Sequence, residues 1–148
     1  ACDSPSELGS ADAEGRTRLS ADNSYGEFGD YVVHVNGLPT ATLTPEIAQS
    51  YGITRSESSG LVNLVVLKNS GEPGLQQPVR ASVELKAANL TGQFKPVEIR
   101  EITDGPSIYY IGVVSVDDRE TVNFDFDIVP EGSNRRLAVR FTHKFYND

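Results

Sequence analysis

Apolar and polar residues alternate one by one along several stretches of this chain, a period that fits a strand with one dry and one wet face. The clearest case is Val122, Phe124, Phe126 and Ile128 alternating with Asn123, Asp125 and Asp127. Val79, Ala81, Val83, Leu85 and Ala87 alternate in the same way with Arg80, Ser82, Glu84 and Lys86. Leu137, Val139, Phe141 and Phe145 alternate with Ala138, Arg140, Thr142 and Lys144. Tyr31, Val33 and Val35 share one face of a run that Gly37-Leu38-Pro39 ends. Leu61 to Leu67 is apolar on both faces apart from Asn63, which suits a strand buried centrally in a sheet. Phe94 to Ile102 is a weaker strand, with Pro96 marking an edge or a bulge, and Ile108 to Val116 is the most β-prone run of all. Seven strands are therefore expected.

Between them stand turn residues such as Asn69-Ser70-Gly71, Asp104-Gly105-Pro106, Asp117-Asp118 and Pro130-Glu131-Gly132. Connections this short join antiparallel neighbours, because a parallel crossover needs a dozen residues or more. Seven strands, each with a face to bury, predict an all-β, antiparallel, immunoglobulin-like sandwich over residues 29–148. One helix interrupts it at Pro45–Tyr51, with Thr44 as N-cap, Pro45 at the first helical position and Gly52 closing the C-terminus. Two turns of helix cannot stand alone, so Ile47, Ala48 and Tyr51 are expected to plug the gap between the first two strands at one end of the sandwich.

Residues 1–28 are rich in Ser, Ala, Gly, Asp and Glu, and only Leu8, Leu19, Tyr25 and Phe28 could bury much surface. A segment this polar does not offset its own ordering entropy, so a disordered leader is expected there. The single cysteine, Cys2, precludes a disulfide within the chain. Its position after Ala1 matches the processed start of a bacterial lipoprotein, which makes Cys2 the candidate lipidation site. The absence of Met fits a chain that has lost its initiator with a signal segment. On this reading residues 1–28 are a tether, and the protein is periplasmic and membrane-anchored.

The net charge of −8 argues against nucleic acid, which calls for clustered Lys and Arg. It argues equally against electrostatic attachment to anionic lipid, which leaves a lipid on Cys2 as the expected membrane contact.

The candidate chemistry is sparse. His34 and His143 fall on strands without a nucleophile motif or ligand spacing, and His143 shares the inward parity of Phe141 and Phe145. Asp125 and Asp127 point the same way from one strand, with Asp117 and Asp118 in the preceding turn. Calcium loops carry more ligands and a glycine at fixed offsets, so these carboxylates read first as a solvated face opposite cationic residues. Arg135, Arg136, Arg140 and Lys144 make the last strand basic in an acidic protein. They could form a docking strip for an acidic partner, pair across strands with Asp125 and Asp127, or blunt an exposed edge. Of the adjacent Tyr109 and Tyr110, one must face outward, and Tyr109 is a candidate interface anchor. Asn89-Leu90-Thr91 matches a glycosylation acceptor, which is uninformative if the source is bacterial. No catalytic residue, metal ligand or cofactor is assigned.

The chain resembles a bacterial family known as domain-of-unknown-function family 4426. The resemblance rests on Phe28 to Asn36, on Leu43 to Ala48 with Tyr51-Gly52-Ile53, and on Asn89 to Gln93. It continues through Ile108 to Ile111 and Val139 to Tyr146, and so spans residues 28–146. It implies an exported protein of Gram-negative bacteria and brings no catalytic or ligand residues. The expectation is a monomeric, non-enzymatic periplasmic binding or scaffolding module with an unidentified envelope partner. The alternative is an immunity or inhibitor protein that neutralises a periplasmic toxin or hydrolase.

Overall fold

The computed structural model describes residues 16–20, 22–69, 71 and 75–146. Strands β1 to β5 are Thr17–Ser20, Tyr25–Phe28, Tyr31–Pro39, Ser59–Asn69 and Gln76–Pro78. Strands β6 to β11 are Ala81–Asn89, Phe94–Lys95, Arg100–Asp104, Ser107–Ser115, Glu120–Pro130 and Leu137–Phe145. The first sheet has the order β1-β11-β10-β6-β7, and the second β2-β3-β4-β9-β8 with β5 paired to β4.

The two sheets pack face to face. Val122, Phe124, Phe126, Ile128, Leu137, Val139, Phe141 and Phe145 line the inner face of the first sheet. Val33, Val35, Val62, Leu64, Val66, Tyr110 and Val114 answer them from the second. The inward parity of each alternating run is the one the sequence predicts, because a strand can present only every second side chain to one face. Strand β4 lies centrally between β3 and β9, as its doubly apolar run predicts.

The strand count is eleven among the described residues, not seven. One expected strand, Phe94 to Ile102, is two: β7 joins the first sheet and β8 the second. Pro96 lacks the N–H needed to continue a ladder, and the chain crosses there from sheet to sheet. Val97 on that crossing packs so tightly over Gly112 that a Cβ on Gly112 would lie 2.8 Å from it.

The expected leader also ends earlier than Phe28. Strand β2 pairs antiparallel with β3, and β1 pairs in parallel with β11. Leu19 supplies the driving force, being only 2% exposed in the main core. The expectation of disorder over residues 1–15, and of a lipid at Cys2, lies outside the described residues. Because β1 pairs with Val139 to Thr142, that part of the last strand is interior, and Arg140 does not guard an edge.

Helix α1 spans Pro45–Tyr51 as expected. Thr44 Oγ1 accepts from Ile47 N at 3.2 Å, and Gly52, at φ 69°, closes the helix by donating its N–H to Ala48 and Gln49 carbonyls. The helix does not plug an end of the sandwich. Its last residue, Tyr51, and the flanking Leu43 and Ile53 pack on the outer face of the second sheet, against Leu61 and Ile111, while Ile47 stays 44% exposed. Leu61 and Ile111 have outward parity, and that half of the sheet would otherwise expose an apolar patch.

Candidate functional site

The outer face of the first sheet carries most of the charged candidates. Asp125 lies opposite Arg140 on one side and Lys86 on the other. Arg140 meets it with Nε–Oδ1 at 2.7 Å and Nη2–Oδ2 at 3.0 Å. Asp127 lies opposite Ala138 and, unfavourably, Glu84. Two arginines relieve that conflict: Arg136 Nη2 lies 2.6 Å from Asp127 Oδ1, and Arg16 Nη2 lies 3.2 Å from Oδ2. Since Thr17 pairs with Val139, Arg16 runs beside Ala138, whose small side chain leaves it room to reach β10. Burial would raise the Asp127 pKa, but hydrogen bonds from Arg136 and Arg16 outweigh it and hold the carboxyl below its usual range.

Asp125, Asp127, Arg136 and Arg140 thus satisfy one another across strands. Lys144 instead lies over the Tyr146 ring at 5.6 Å, and the Arg135 guanidinium sits against Gly29. Among the described residues no three His, Cys, Asp or Glu side chains converge on a metal-sized site.

The histidines stand apart. His34, on the outer face of the second sheet, stacks on Tyr25 at 5.5 Å. His143 points inward, stacked on Phe141 at 5.5 Å and edge-on to Phe145 at 4.6 Å. Its Nδ1 is buried without a hydrogen-bond partner, and burial lowers its pKa, so the ring is neutral at pH 7. Asn89 is engaged in the β6–β7 turn, its Oδ1 accepting from Thr91 N, Thr91 Oγ1 and Gln93 N.

The two tyrosines part as their adjacency predicts. Tyr110 turns into the core, where its hydroxyl accepts from Ala81 N at 2.8 Å and donates to Glu101 Oε1 at 3.1 Å. Tyr109 turns outward into a cleft between the α1 region and the second sheet. The cleft holds about 220 Å³ and is lined by Leu38, Leu43, Tyr51, Leu61, Asn63, Tyr109 and Ile111. Burial first, then the nearby Tyr109 and Asp104, raise the Tyr51 pKa, so Tyr51 stays a neutral hydroxyl. Asn63, paired with Asn36 of β3 and Ile111 of β9, is the one amide in this lining, and its Oδ1 is buried without a hydrogen-bond partner. A buried acceptor left unmet costs roughly 1–3 kcal/mol.

The sequence-level candidates therefore do not form one site. Tyr109 lies on the outer face of the second sheet, and Arg136, Arg140 and Lys144 on that of the first. Tyr51 and Asn63 are the members of the cleft that sequence reasoning missed. The signal for Asn63 was its place as the sole polar residue in Leu61 to Leu67.

Comparison with known proteins bears on the whole of this arrangement. The family model described as domain of unknown function DUF4426 matches residues 25–148. The chain belongs to the DUF4426 family. A crystal structure of a DUF4426 family protein from Pseudomonas aeruginosa, a Gram-negative bacterium, resembles it with a TM-score of 0.70 and 29% identity. The match covers 84% of this chain and 94% of that one. No curated protein matches the chain. The DUF4426 match begins at Tyr25, the first residue of β2, so β1 and the preceding Arg16 lie before the family-matched region.

Proposed function

We propose that this DUF4426 domain is a non-enzymatic binding module of the bacterial periplasm, held at a membrane by a lipid on Cys2. Its recognition site is the cleft under α1, which seats an apolar group of an envelope protein. The cleft itself carries the reading: a concave, mostly apolar slot with few polar groups is the usual form of a binding site. Tyr109 and Tyr51 give it the aromatic character of interface anchors. The sandwich behind it serves as an immunoglobulin-like scaffold, rigid where the ligand docks. The likeness to a protein of a Gram-negative bacterium supports the periplasmic assignment.

Toluene titrated into the labelled protein tests the site by amide chemical shifts. Saturable shifts are expected at Leu38, Leu61, Tyr109 and Ile111, and they should vanish in Leu43→Trp, which fills the cleft from its rim. Shifts that do not saturate, or that persist in the filled variant, would remove the cleft from the reading. Replacing Cys2 by Ser should release the full-length protein from the membrane fraction of its host; retention would remove the lipid anchor.

A further inference from the structure

We propose that β9, past the point where β8 leaves it, takes up an extended segment of a partner protein as an added strand, through the backbone of Val113 and Ser115. The groove involved shares no residue with the cleft under α1, so the inference stands apart from that reading.

Strand β9 pairs with β4 as far as Ser115, but its pairing with β8 stops at Ile111, opposite Arg100. The residues before Arg100 do not continue the ladder, because they come across from the first sheet through Pro96 and Val97. Successive residues of a strand turn their N–H and C=O toward opposite neighbours. Val116 N donates to Ser58 O at 2.9 Å, toward the β4 side, so Val114 and Gly112 also face β4 while Val113 and Ser115 face the gap. In that gap Ser115 O accepts from Lys95 Nζ at 2.8 Å. Among the described residues, Val113 N–H, Val113 C=O and Ser115 N–H have no partner there.

The gap opens into a groove of about 670 Å³, with Pro96, Val97 and Glu98 along one side and Ile53, Thr54 and Ser58 along the other. Val113 is half-buried and Ser115 exposed in it. Two donors and one acceptor set along about 7 Å of strand match the spacing of a second extended backbone, which supplies affinity in strand addition. The other edges of the two sheets carry the usual guards against such pairing. Strand β8 has Arg100, Glu101 and Asp104, β2 has Glu27, and β7 runs into Pro96. Gly112 to Val116 holds neither a charge nor a proline. The incoming segment must itself lack proline where it pairs, since its N–H has to meet Val113 C=O, and β-branched residues hold it extended.

The probe is the blocked peptide acetyl-Thr-Val-Thr-Val-Thr-amide, with the same peptide N-methylated at every residue as control. In the whole chain alone, amide hydrogen exchange is expected to be fast at Val113 and Ser115 and slow at Gly112 and Val114. The peptide should slow both fast amides in a saturable way, and the N-methylated form should bind about tenfold more weakly. Val113→Pro removes an N–H that the fold does not use, so it should keep a dispersed amide spectrum and lose about tenfold in peptide affinity. Slow exchange at Val113 and Ser115 in the protein alone would overturn the open edge. Equal binding of the two peptides, or no binding at millimolar peptide, would overturn the strand pairing. Protection that rises with protein concentration in the absence of peptide would make a second copy the occupant and overturn the partner assignment. If Val113→Pro fails to fold, the two peptides on the unaltered protein still decide.

Discussion

Asp125 on β10 and Arg140 on β11 stand directly opposite each other and close a two-pronged ion pair on the outer face of the first sheet. Both side chains are about three-quarters covered, at 23% and 28% exposure, so solvent screens the pair less than it would a fully exposed one. The strand ladder itself sets the alignment, because residues directly opposite in an antiparallel pair bring their side chains within reach.

A double-mutant cycle with Asp125→Ala and Arg140→Ala should return a coupling energy of about 1 kcal/mol, the upper end for partly exposed pairs. Urea denaturation at low and high salt reads it, and the coupling should shrink with salt. A coupling that cannot be told from zero at low salt would mean that the pair contributes alignment without stability.

Leu19 should behave as a core residue although it lies in a stretch that looks like a tail. Leu19→Ala is expected to destabilise the domain by about 2–4 kcal/mol, the usual cost of emptying a buried leucine site. A negligible effect of Leu19→Ala would show that β1 is dispensable to the sandwich.

His143 gives stability a pH dependence whose sign follows from burial. Its folded pKa lies below the ordinary 6.5, so near and below that value the unfolded chain binds the proton more readily. Its contribution is therefore complete above about pH 6.5 and is lost as pH falls toward the folded pKa. His143→Leu should remove this part of the acid loss and leave the carboxylate part, including that of Asp127, which begins lower. Identical pH profiles for the two proteins between pH 7 and 5 would rule out the effect.

Gly60 marks a second packing constraint, since a methyl on its Cα would strike the Phe145 ring. Gly60→Ala should cost about 1–3 kcal/mol through overpacking. Phe145→Leu in the same chain should recover part of that loss, because the smaller side chain frees the space. If the double variant is destabilised by the full sum of the two single effects, the close approach is not the cause.

Much of this fold was legible in the residues because a strand has a period of two. The inward set of Val122, Phe124, Phe126 and Ile128, the inward turn of His143, and the parting of Tyr109 from Tyr110 all follow from that period. Helix α1 was legible through local rules of the same kind, with Thr44 and Gly52 acting on their own neighbours. Cross-strand pairing of Arg140 with Asp125 was one of several readings that parity left open, and register selected it.

By itself, then, the sequence determined which side of each strand is dry and where the one helix begins and ends, since both depend on residues a few positions apart. Only the tertiary structure decided which strands meet. Thr17–Ser20 is too short to display a period, and its place in the sheet comes from a parallel pairing with a strand more than a hundred residues away. The cleft was decided in the same way. Tyr51, Asn63 and Tyr109 lie on a helix and two strands, and an unmet acceptor becomes visible only after folding has removed the water that would have met it.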